Sequence, residues 1–247
     1  QVNENVVGLL SAGASIEMPW HYCCKAILHG YLTGQAGASA MLNILTGKVN
    51  PSGRLSETYP LRYEDTPAFR HFPSTQRNSE YRESIYIGYR YYDTSKVRVQ
   101  YPFGYGLSYT TFAYSDLAVS SNEIAPSDSV KICVTIENTG SRDGDEVVQL
   151  YFRDVRASMA RPVKELAGFK RIRLKAGEKK TIEFEIQASQ TAFLDRDMKW
   201  KIEKGDIELQ IGSSSEDIRL TGNVRITEDK WIRGRDRAFC ADVREVK

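Results

Sequence analysis

The second half of the chain consists of short segments in which polar and apolar residues partly alternate and β-branched residues are common. Turn signals separate them, as at Ala125-Pro126-Ser127 and Lys204-Gly205. A period of two is the pattern of a strand with one buried face. Six or seven such strands within about 110 residues are typical of a two-sheet β-sandwich. The segments with this pattern are 114–121, 130–140, 146–154, 164–174, 179–187 and 206–214.

The predicted sandwich, residues 112–226, is of the immunoglobulin-like or fibronectin-like type. A true immunoglobulin domain has a Cys…Trp…Cys spacing, which this region lacks. Its aromatic residues have the spacing of strand-core positions, which disfavours a ligand-binding row of aromatics on one sheet face. Residues 227–247 follow the sandwich. They are predicted to be either a tail that packs on the chain or a connector to another domain.

The first 60 residues alternate between strand-like and helix-like patterns, which is typical of a parallel α/β sheet. In the predicted helix, residues 35–46, Met41 and Leu45 have helical spacing. Gly47 is its predicted stop signal. Three strands and one helix cannot cover both faces of such a sheet. We therefore expect residues 1–60 to be the C-terminal segment of an (α/β) sandwich domain that begins upstream. The three strands are predicted over 2–10, 25–32 and 54–59.

A tyrosine-rich linker, predicted over 61–111, joins the two units. It opens with prolines and charges that have no period, which predicts a long loop. Several tyrosines then follow in a strand-like run. Tyrosine buries a large ring while its hydroxyl finds a polar partner, so we interpret these aromatics as interdomain packing. Sugar binding by exposed rings is the alternative. The residues assigned to interdomain packing are Tyr86, Tyr89, Tyr91, Phe103 and Tyr105.

Composition excludes several classes of function. The net charge is +2, which gives no electrostatic argument for binding nucleic acid or an anionic membrane. No apolar run reaches the length of about 20 residues that a membrane span needs. The four cysteines form no Cys-x-x-Cys pair and no histidine has a ligand-like spacing to them, so no metal site is predicted. Free thiols in a reducing compartment are favoured, hence a cytoplasmic rather than a secreted protein.

Four segments together resemble the end of the second domain of glycoside hydrolase family three, the β-glucosidase and β-xylosidase type. Residues 112–226 are similar to the fibronectin type III-like domain that often follows it. Small residues replace others of the family pattern at Ala14, Ala38 and Ser84, which leaves the resemblance intact. The segments are SAGASIEMPW, TGQAGASAMLNILTGKVNPSGRLSETYP, YRESIYIGYRYYD and YPFGYGLSYT.

The resemblance implies a retaining glycosidase without a cofactor, acting on terminal non-reducing β-linked sugars, most simply β-glucosides. Retention needs two carboxyl groups about 5 Å apart, one as nucleophile and one as acid and base. In the family the nucleophile lies on a barrel domain and the acid/base glutamate lies upstream of the strand that matches residues 2–10. No catalytic residue is therefore carried over, and we expect this chain alone to be inactive. Its expected partner is the barrel domain or a second chain that carries it.

Glu17 and Trp20 are the candidates for the substrate cleft, because they follow the carboxyl end of a strand, where open α/β sheets place ligands. The alternative is that Trp20 packs the turn and Glu17 binds backbone. Two further hypotheses stay open for the chain. It is either a carbohydrate-binding or protein-binding β-sandwich module, or one chain of a split or nicked enzyme. Local carboxylates that could act as an acid are Glu17, Glu57, Glu64, Asp65, Glu80 and Glu83.

Overall fold

The computed structural model describes residues 3–74 and 77–246. The chain begins with two neighbouring parallel strands, β1 (Val7–Leu10) and β2 (Ala26–His29). The strand predicted over 2–10 starts at Val2, which lies outside the described residues. The 3-10 turn His21–Cys23 lies between the two strands.

Helix α1 (Gly37–Leu45) confirms the predicted helix. Gly37 is buried, and a Cβ atom there would lie 2.0 Å from the Thr33 hydroxyl, so only glycine permits this approach. The helix ends where the sequence predicts, because Gly47 adopts the left-handed conformation with φ +72°.

The third strand predicted over 54–59 is wrong. Only Tyr59–Pro60 (β3) is a strand, and it pairs antiparallel with β4 (Val99–Tyr101) rather than with the parallel pair. The reason is a long-range contact. Leu55 donates its N–H to the Tyr105 carbonyl (2.8 Å) and accepts the N–H of Gly104 (2.8 Å), so the backbone before β3 is bonded to a turn.

The strand-like run of tyrosines is also a wrong prediction, because helix α2 (Tyr89–Ser95) begins within it. Gly88 precedes the helix with φ +53°, and Lys96 ends it in the left-handed conformation. Tyr92 is buried and Tyr89 is half-buried, a spacing of three that belongs to one helix face. Burial of this face outweighs the strand propensity of tyrosine.

Twelve further strands follow, and most of them build two sheets. One sheet has the order β16-β10-β7-β5, and the other has the order β6-β14-β13-β8-β9. All neighbours are antiparallel except β6 and β14, which are parallel. The strands are β5 (Phe112–Val119), β6 (Glu123–Ile124), β7 (Ser129–Asn138), β8 (Gly144–Asp154), β9 (Glu165–Leu174), β10 (Lys179–Gln187), β11 (Phe193–Leu194), β12 (Trp200–Ile202), β13 (Gly205–Gly212), β14 (Ile218–Ile226), β15 (Lys230–Ile232) and β16 (Asp242–Val246).

One hydrophobic core lies between the two sheets, which confirms the predicted sandwich. Along β7 every second residue is buried, so the alternation in the sequence corresponds to the inner and outer faces. Phe184 from β10 and Leu150 from β8 belong to the same fully buried cluster, although they lie on opposite sheets.

The residues predicted as a tail or connector return to the sandwich. Strand β16 adds to the edge of β10, where Val243 lies opposite Phe184, and Val243 packs against the core. Strand β15 pairs with β12, which pairs with β11, in a small third sheet. The end of the described chain is therefore part of the folded body.

Candidate functional site

The tyrosine-rich segment forms the boundary between the α/β unit and the sandwich. The Tyr89 ring stacks on Phe103, with ring centroids 4.9 Å apart, and meets Tyr151 of β8 edge-on at 5.8 Å. The Tyr89 hydroxyl accepts the backbone N–H of Leu166 on β9 (2.7 Å). Burial raises the pKa of Tyr89. The phenol is therefore neutral and acts as a fixed hydrogen-bond acceptor for the sandwich.

A buried ion pair crosses the same boundary. The Arg54 guanidinium lies 3.0 Å from Oε2 of Glu146 on β8, and the two side chains are 8% and 2% exposed. The hydroxyl of Tyr114 donates to the other carboxylate oxygen of Glu146 (3.1 Å). Burial and the Glu146 charge raise the pKa of Tyr114. Both oxygens of a buried carboxylate are thus satisfied, as such a charge requires.

Helix α2 contributes a second charged contact. The Lys164 ammonium lies 3.4 Å from the carboxylate of Asp93, and both side chains are nearly buried. Desolvation raises the pKa of Asp93, and the Lys164 charge opposes that shift. The Thr94 hydroxyl accepts the N–H of Val163 (3.1 Å). These contacts attach α2 to the segment that leads into β9.

The turn that contains Gly104 sits directly on β8. The Gln149 amide donates to the carbonyls of Ser213 (2.6 Å) and Gly104 (3.3 Å), and it accepts the Tyr151 hydroxyl (2.6 Å). Gly104 has φ +81°, and a Cβ atom there would lie 2.3 Å from Gln149. The glycine is required both by the backbone and by the close approach.

Asn50 connects three parts of the boundary. Its side-chain N–H donates to the carbonyl of Asp143 in the sandwich (3.0 Å). Its side-chain oxygen accepts the N–H of Tyr109 (2.8 Å) and the Ser108 hydroxyl (3.0 Å). The motif Asn50-Pro51-Ser52-Gly53-Arg54 therefore supplies two cross-boundary side chains, Asn50 and Arg54.

The structure places the other predicted packing residues beside neighbours in the first part of the chain. Tyr105 stacks on Tyr101 (5.2 Å between centroids), and Tyr91 meets Tyr92 edge-on (5.2 Å). Tyr86 lines a cleft of about 380 Å³ together with Tyr91 and Glu83. Interdomain packing by these three tyrosines stays a prediction.

Glu17 and Trp20 lie in the loop between β1 and β2. The Glu17 carboxylate accepts the backbone N–H of Tyr63, the first residue of the 3-10 turn Tyr63–Asp65. Trp20 is half-buried, and its ring lies 3.4 Å from the position of a Cβ atom on Gly8. Glu17 thus has a backbone partner, and the Trp20 ring lies against β1. A role of either residue in a substrate cleft stays a prediction.

An acid role for the other local carboxylates stays a prediction, and two of them are paired with arginines. Asp65 pairs with Arg62, and Glu80 pairs with Arg82 on the surface. Across residues 3–74 and 77–246 no group of three or more His, Cys, Asp or Glu side chains could hold a metal ion. No helix of this part of the chain is long and apolar enough to cross a membrane. All four cysteines are free.

Sequence reasoning missed Glu146. Its position carried a signal, because the buried residues Gly144, Glu146 and Val148 alternate with less buried neighbours along β8. A carboxylate at a predicted inward position needs a counter-charge. Its partner Arg54 lies 92 residues away along the chain, so no local pattern could identify the pair.

Two family models match the chain. The model described as "Glycosyl hydrolase family 3 C-terminal domain" covers residues 1–109, and the model described as "Fibronectin type III-like domain" covers residues 146–215. The thermostable beta-glucosidase B of Acetivibrio thermocellus is 41% identical over 236 residues, which are 95% of this chain. The chain belongs to glycosyl hydrolase family 3. Its two units are the C-terminal domain of that family and the fibronectin type III-like domain.

Family 3 relatives also share the three-dimensional structure. The crystal structure of the GH3 beta-glucosidase from Bifidobacterium adolescentis superimposes with a TM-score of 0.86 at 37% identity, covering 91% of this chain and 33% of that one. An exo-alpha-(1->6)-L-arabinopyranosidase of Bifidobacterium longum is 38% identical over 92% of this chain and 30% of its own length. The chain covers 31% of the A. thermocellus protein. It therefore spans about a third of the length of these relatives. The boundaries predicted at residues 60, 111 and 226 stay a prediction.

Proposed function

We propose that this chain is the C-terminal part of a retaining β-glycosidase that hydrolyses terminal non-reducing β-linked sugars, with β-glucosides as the substrate class. The proposal rests on 41% identity to a beta-glucosidase over 95% of the chain. That match spans both units and the boundary between them. Retention requires a nucleophile and an acid/base carboxylate about 5 Å apart, and we assign neither to this chain.

We propose that the chain buttresses the catalytic domains. Buried contacts between α2, the Gly104 turn and β8 support a rigid connection, because a buried ion pair or packed ring allows few relative positions. In this role the sandwich holds the α/β unit in one orientation, and the α/β unit in turn contributes to the substrate-bearing part of the enzyme.

The exposed surface of the α/β unit supports a further protein partner. Val7 and Leu9 on β1 are 47% and 53% exposed, and Leu42 on α1 is 58% exposed. Strands of parallel α/β sheets are normally covered on both faces, so the exposed apolar side chains of β1 indicate an interaction surface. We propose that the remainder of the α/β domain covers this surface, on the same chain or on a second chain.

Hydrolysis of nitrophenyl β-glucoside tests the activity. The full-length protein is expected to release nitrophenol and to form the β-anomer of glucose first, as seen by NMR. The 247-residue chain alone is expected to be inactive, because both carboxylates lie outside it. Turnover by a preparation that contains only this chain would contradict the assignment.

The arabinopyranosidase relative gives a second candidate substrate, nitrophenyl α-L-arabinopyranoside. A higher kcat/KM for this compound than for the β-glucoside would move the substrate class from glucosides to arabinopyranosides. Absence of turnover on both compounds by the full-length protein would refute the proposed activity.

The cleft candidates are tested in the full-length protein. If Trp20 contacts substrate, Trp20→Ala raises KM about fivefold, since an aromatic contact contributes about 1 kcal/mol. Tyr22→Ala is the control, because Tyr22 is 78% exposed in the same loop. An equal, small effect of the two substitutions would remove Trp20 from the cleft.

A further inference from the structure

The small third sheet, made of β11, β12 and β15, carries an exposed tryptophan beside a cleft. Trp231 on β15 is 55% exposed and lines a cleft of about 630 Å³. This volume lies within the range of small-molecule sites, about 300–1,000 Å³. The cleft is formed by the part of the chain after Ile124 and does not include the boundary described above.

The tryptophan ring is held in place from two sides. Its indole N–H donates to the Asp195 carboxylate (2.8 Å), and that carboxylate also accepts the backbone N–H groups of Asp197 and Lys199 (both 2.9 Å). The hydrogen bonds from Lys199 and Trp231 hold the pKa of Asp195 below its usual range. Asp195 is thus ionised at neutral pH and stays an acceptor for the indole.

Lys201 fixes the ring from the neighbouring strand. It lies opposite Trp231 in the pairing of β12 with β15, and its ammonium lies 5.5 Å from the ring centroid. Lys201 is itself held by Glu203 (2.8 Å) and Asp229 (2.9 Å), with 12% of its side chain exposed. An exposed aromatic ring in one fixed orientation loses little conformational entropy when a ligand packs on it.

The rim of the cleft is polar and nearly balanced in charge. Asp128, Lys199 and Lys230 are exposed at the rim, and Arg233 is paired with Asp236 (2.7 and 3.1 Å), so the lining has three cations and two carboxylates. Charges of both signs present hydrogen-bond donors and acceptors, and the net charge of the lining is only +1. Such a rim suits a neutral ligand with many hydroxyl groups rather than a phosphate or a polyanion, which would need a larger excess of cations.

We propose that Trp231 and this rim form a binding site for a neutral oligosaccharide, with the apolar C–H face of one pyranose ring packed on the indole. In β-linked glucose or xylose units the ring hydroxyls are equatorial, so the faces of the sugar are apolar and its edge is polar. The fixed aromatic ring receives the face, and the polar rim receives the edge. The site does not depend on the activity of the rest of the protein.

Titration of the 247-residue chain with cellotetraose tests the proposal. The chain has three tryptophans, so NMR shows their indole N–H signals separately, and the Trp231→Phe variant assigns the Trp231 signal by its loss. The expected result is a saturable shift of that signal with a Kd of about 1 mM and no shift of the Trp20 signal. No saturable shift at about 10 mM cellotetraose, ten times the expected Kd, overturns the proposal. A shift of the Trp20 signal alone overturns it as well, because the sugar then binds in the α/β unit.

Variants separate stacking from a general surface effect, with affinity read from the remaining backbone signals of the cleft. Trp231→Ala is expected to weaken binding about tenfold, and Trp231→Phe to retain most of it, since the phenyl ring keeps an aromatic face. Phe169→Ala is the matched control, because Phe169 is a 61% exposed aromatic on the sandwich. Equal affinity of Trp231→Ala and Phe169→Ala would refute stacking on Trp231. Tighter binding of tetragalacturonate than of cellotetraose would refute a neutral ligand.

Discussion

The ion pair between Arg54 and Glu146 gives the sharpest test of how the two units are joined. In Arg54→Met the aliphatic part of the side chain remains, but the guanidinium is removed. Glu146 is 2% exposed, so it cannot recover solvation by water. Its only remaining described hydrogen bond is the one from the Tyr114 hydroxyl.

Loss of one partner from a buried ion pair costs about 3–5 kcal/mol, because the other charge stays desolvated. For a chain of this length each kcal/mol corresponds to about 2–4 °C in melting temperature. Arg54→Met is therefore expected to lower the melting temperature by about 6–20 °C. Because the pair connects the α/β unit to the sandwich, the melting temperature of the first unfolding transition should fall if the two units unfold in separate steps.

The neighbouring residue on β8 provides the matched control. Asp145 pairs with Arg171 (Nε to carboxylate 2.8 Å), but 62% of the Arg171 side chain is exposed. Exposed pairs contribute about 0–1 kcal/mol, so Arg171→Met removes the same chemical group at little cost. Unfolding in urea, followed by circular dichroism and by tryptophan fluorescence, compares the free energies of unfolding of the two variants.

The double variant Arg54→Met/Glu146→Gln removes both charges while glutamine still accepts the Tyr114 hydroxyl. It is expected to be more stable than Arg54→Met alone, since no unpaired charge remains buried. The reasoning is refuted if Arg54→Met is no less stable than Arg171→Met, or if the double variant is less stable than Arg54→Met.

Three further predictions concern the same boundary. Tyr89→Phe leaves the Leu166 N–H without its acceptor and should lower the free energy of unfolding in urea by about 1–3 kcal/mol. The control Tyr81→Phe, at a residue that is 82% exposed, should change this free energy by less than about 0.5 kcal/mol. Equal effects of the two substitutions would contradict a stabilising role of the Tyr89 hydroxyl. Gly104→Ala should lower the free energy of unfolding by about 2–4 kcal/mol, because the new Cβ atom meets the hydrogen-bonded Gln149 side chain. The control Gly88→Ala, also at positive φ but with no atom near the new Cβ, should lower it by about 1 kcal/mol. Similar losses in the two variants would show that the contact with Gln149 does not matter. Burial raises the pKa of Asp93, so the folded chain binds this proton more tightly than the unfolded chain, and the wild type should lose stability relative to Asp93→Asn as the pH rises from about 4. Asp217, whose pKa is lowered by the Arg219 hydrogen bond, is the control of opposite sign, so the wild type should lose stability relative to Asp217→Asn as the pH falls through that range. Parallel pH profiles of the wild type and Asp93→Asn would contradict a raised pKa of Asp93.

Local sequence patterns predicted the elements whose burial repeats with a regular period. Strand β7 has the alternation of a half-buried strand along its whole length, and α1 has helical spacing with a glycine after its end. Both signals depend on residues that lie only a few positions apart in the sequence. The order of motifs around Trp20, Arg54 and Gly104 was also sufficient to indicate the family, because these segments are specific in combination.

Several elements depended on contacts between distant residues, and these could not be predicted from local patterns. Residues 54–58 have strand-like composition, but the backbone of Leu55 is hydrogen-bonded to the turn that contains Gly104 rather than to a neighbouring strand. The tyrosines from 89 onward have strand propensity, yet they form a helix in which Tyr89 contacts β8 and β9. The last strand has only a short apolar pattern, and the free edge of β10 determines where it pairs.

The sequence by itself determined the fold class, including the β-sandwich. Only the tertiary structure decided which side chains connect the units and which aromatic residues are exposed to solvent. Arg54 and Glu146 meet across 92 residues, and Trp231 reaches the surface because β15 pairs with β12. The physical reason is that the period of a segment reports which of its faces is buried. The partner of that face is selected by the packing of the whole chain, which no short segment encodes.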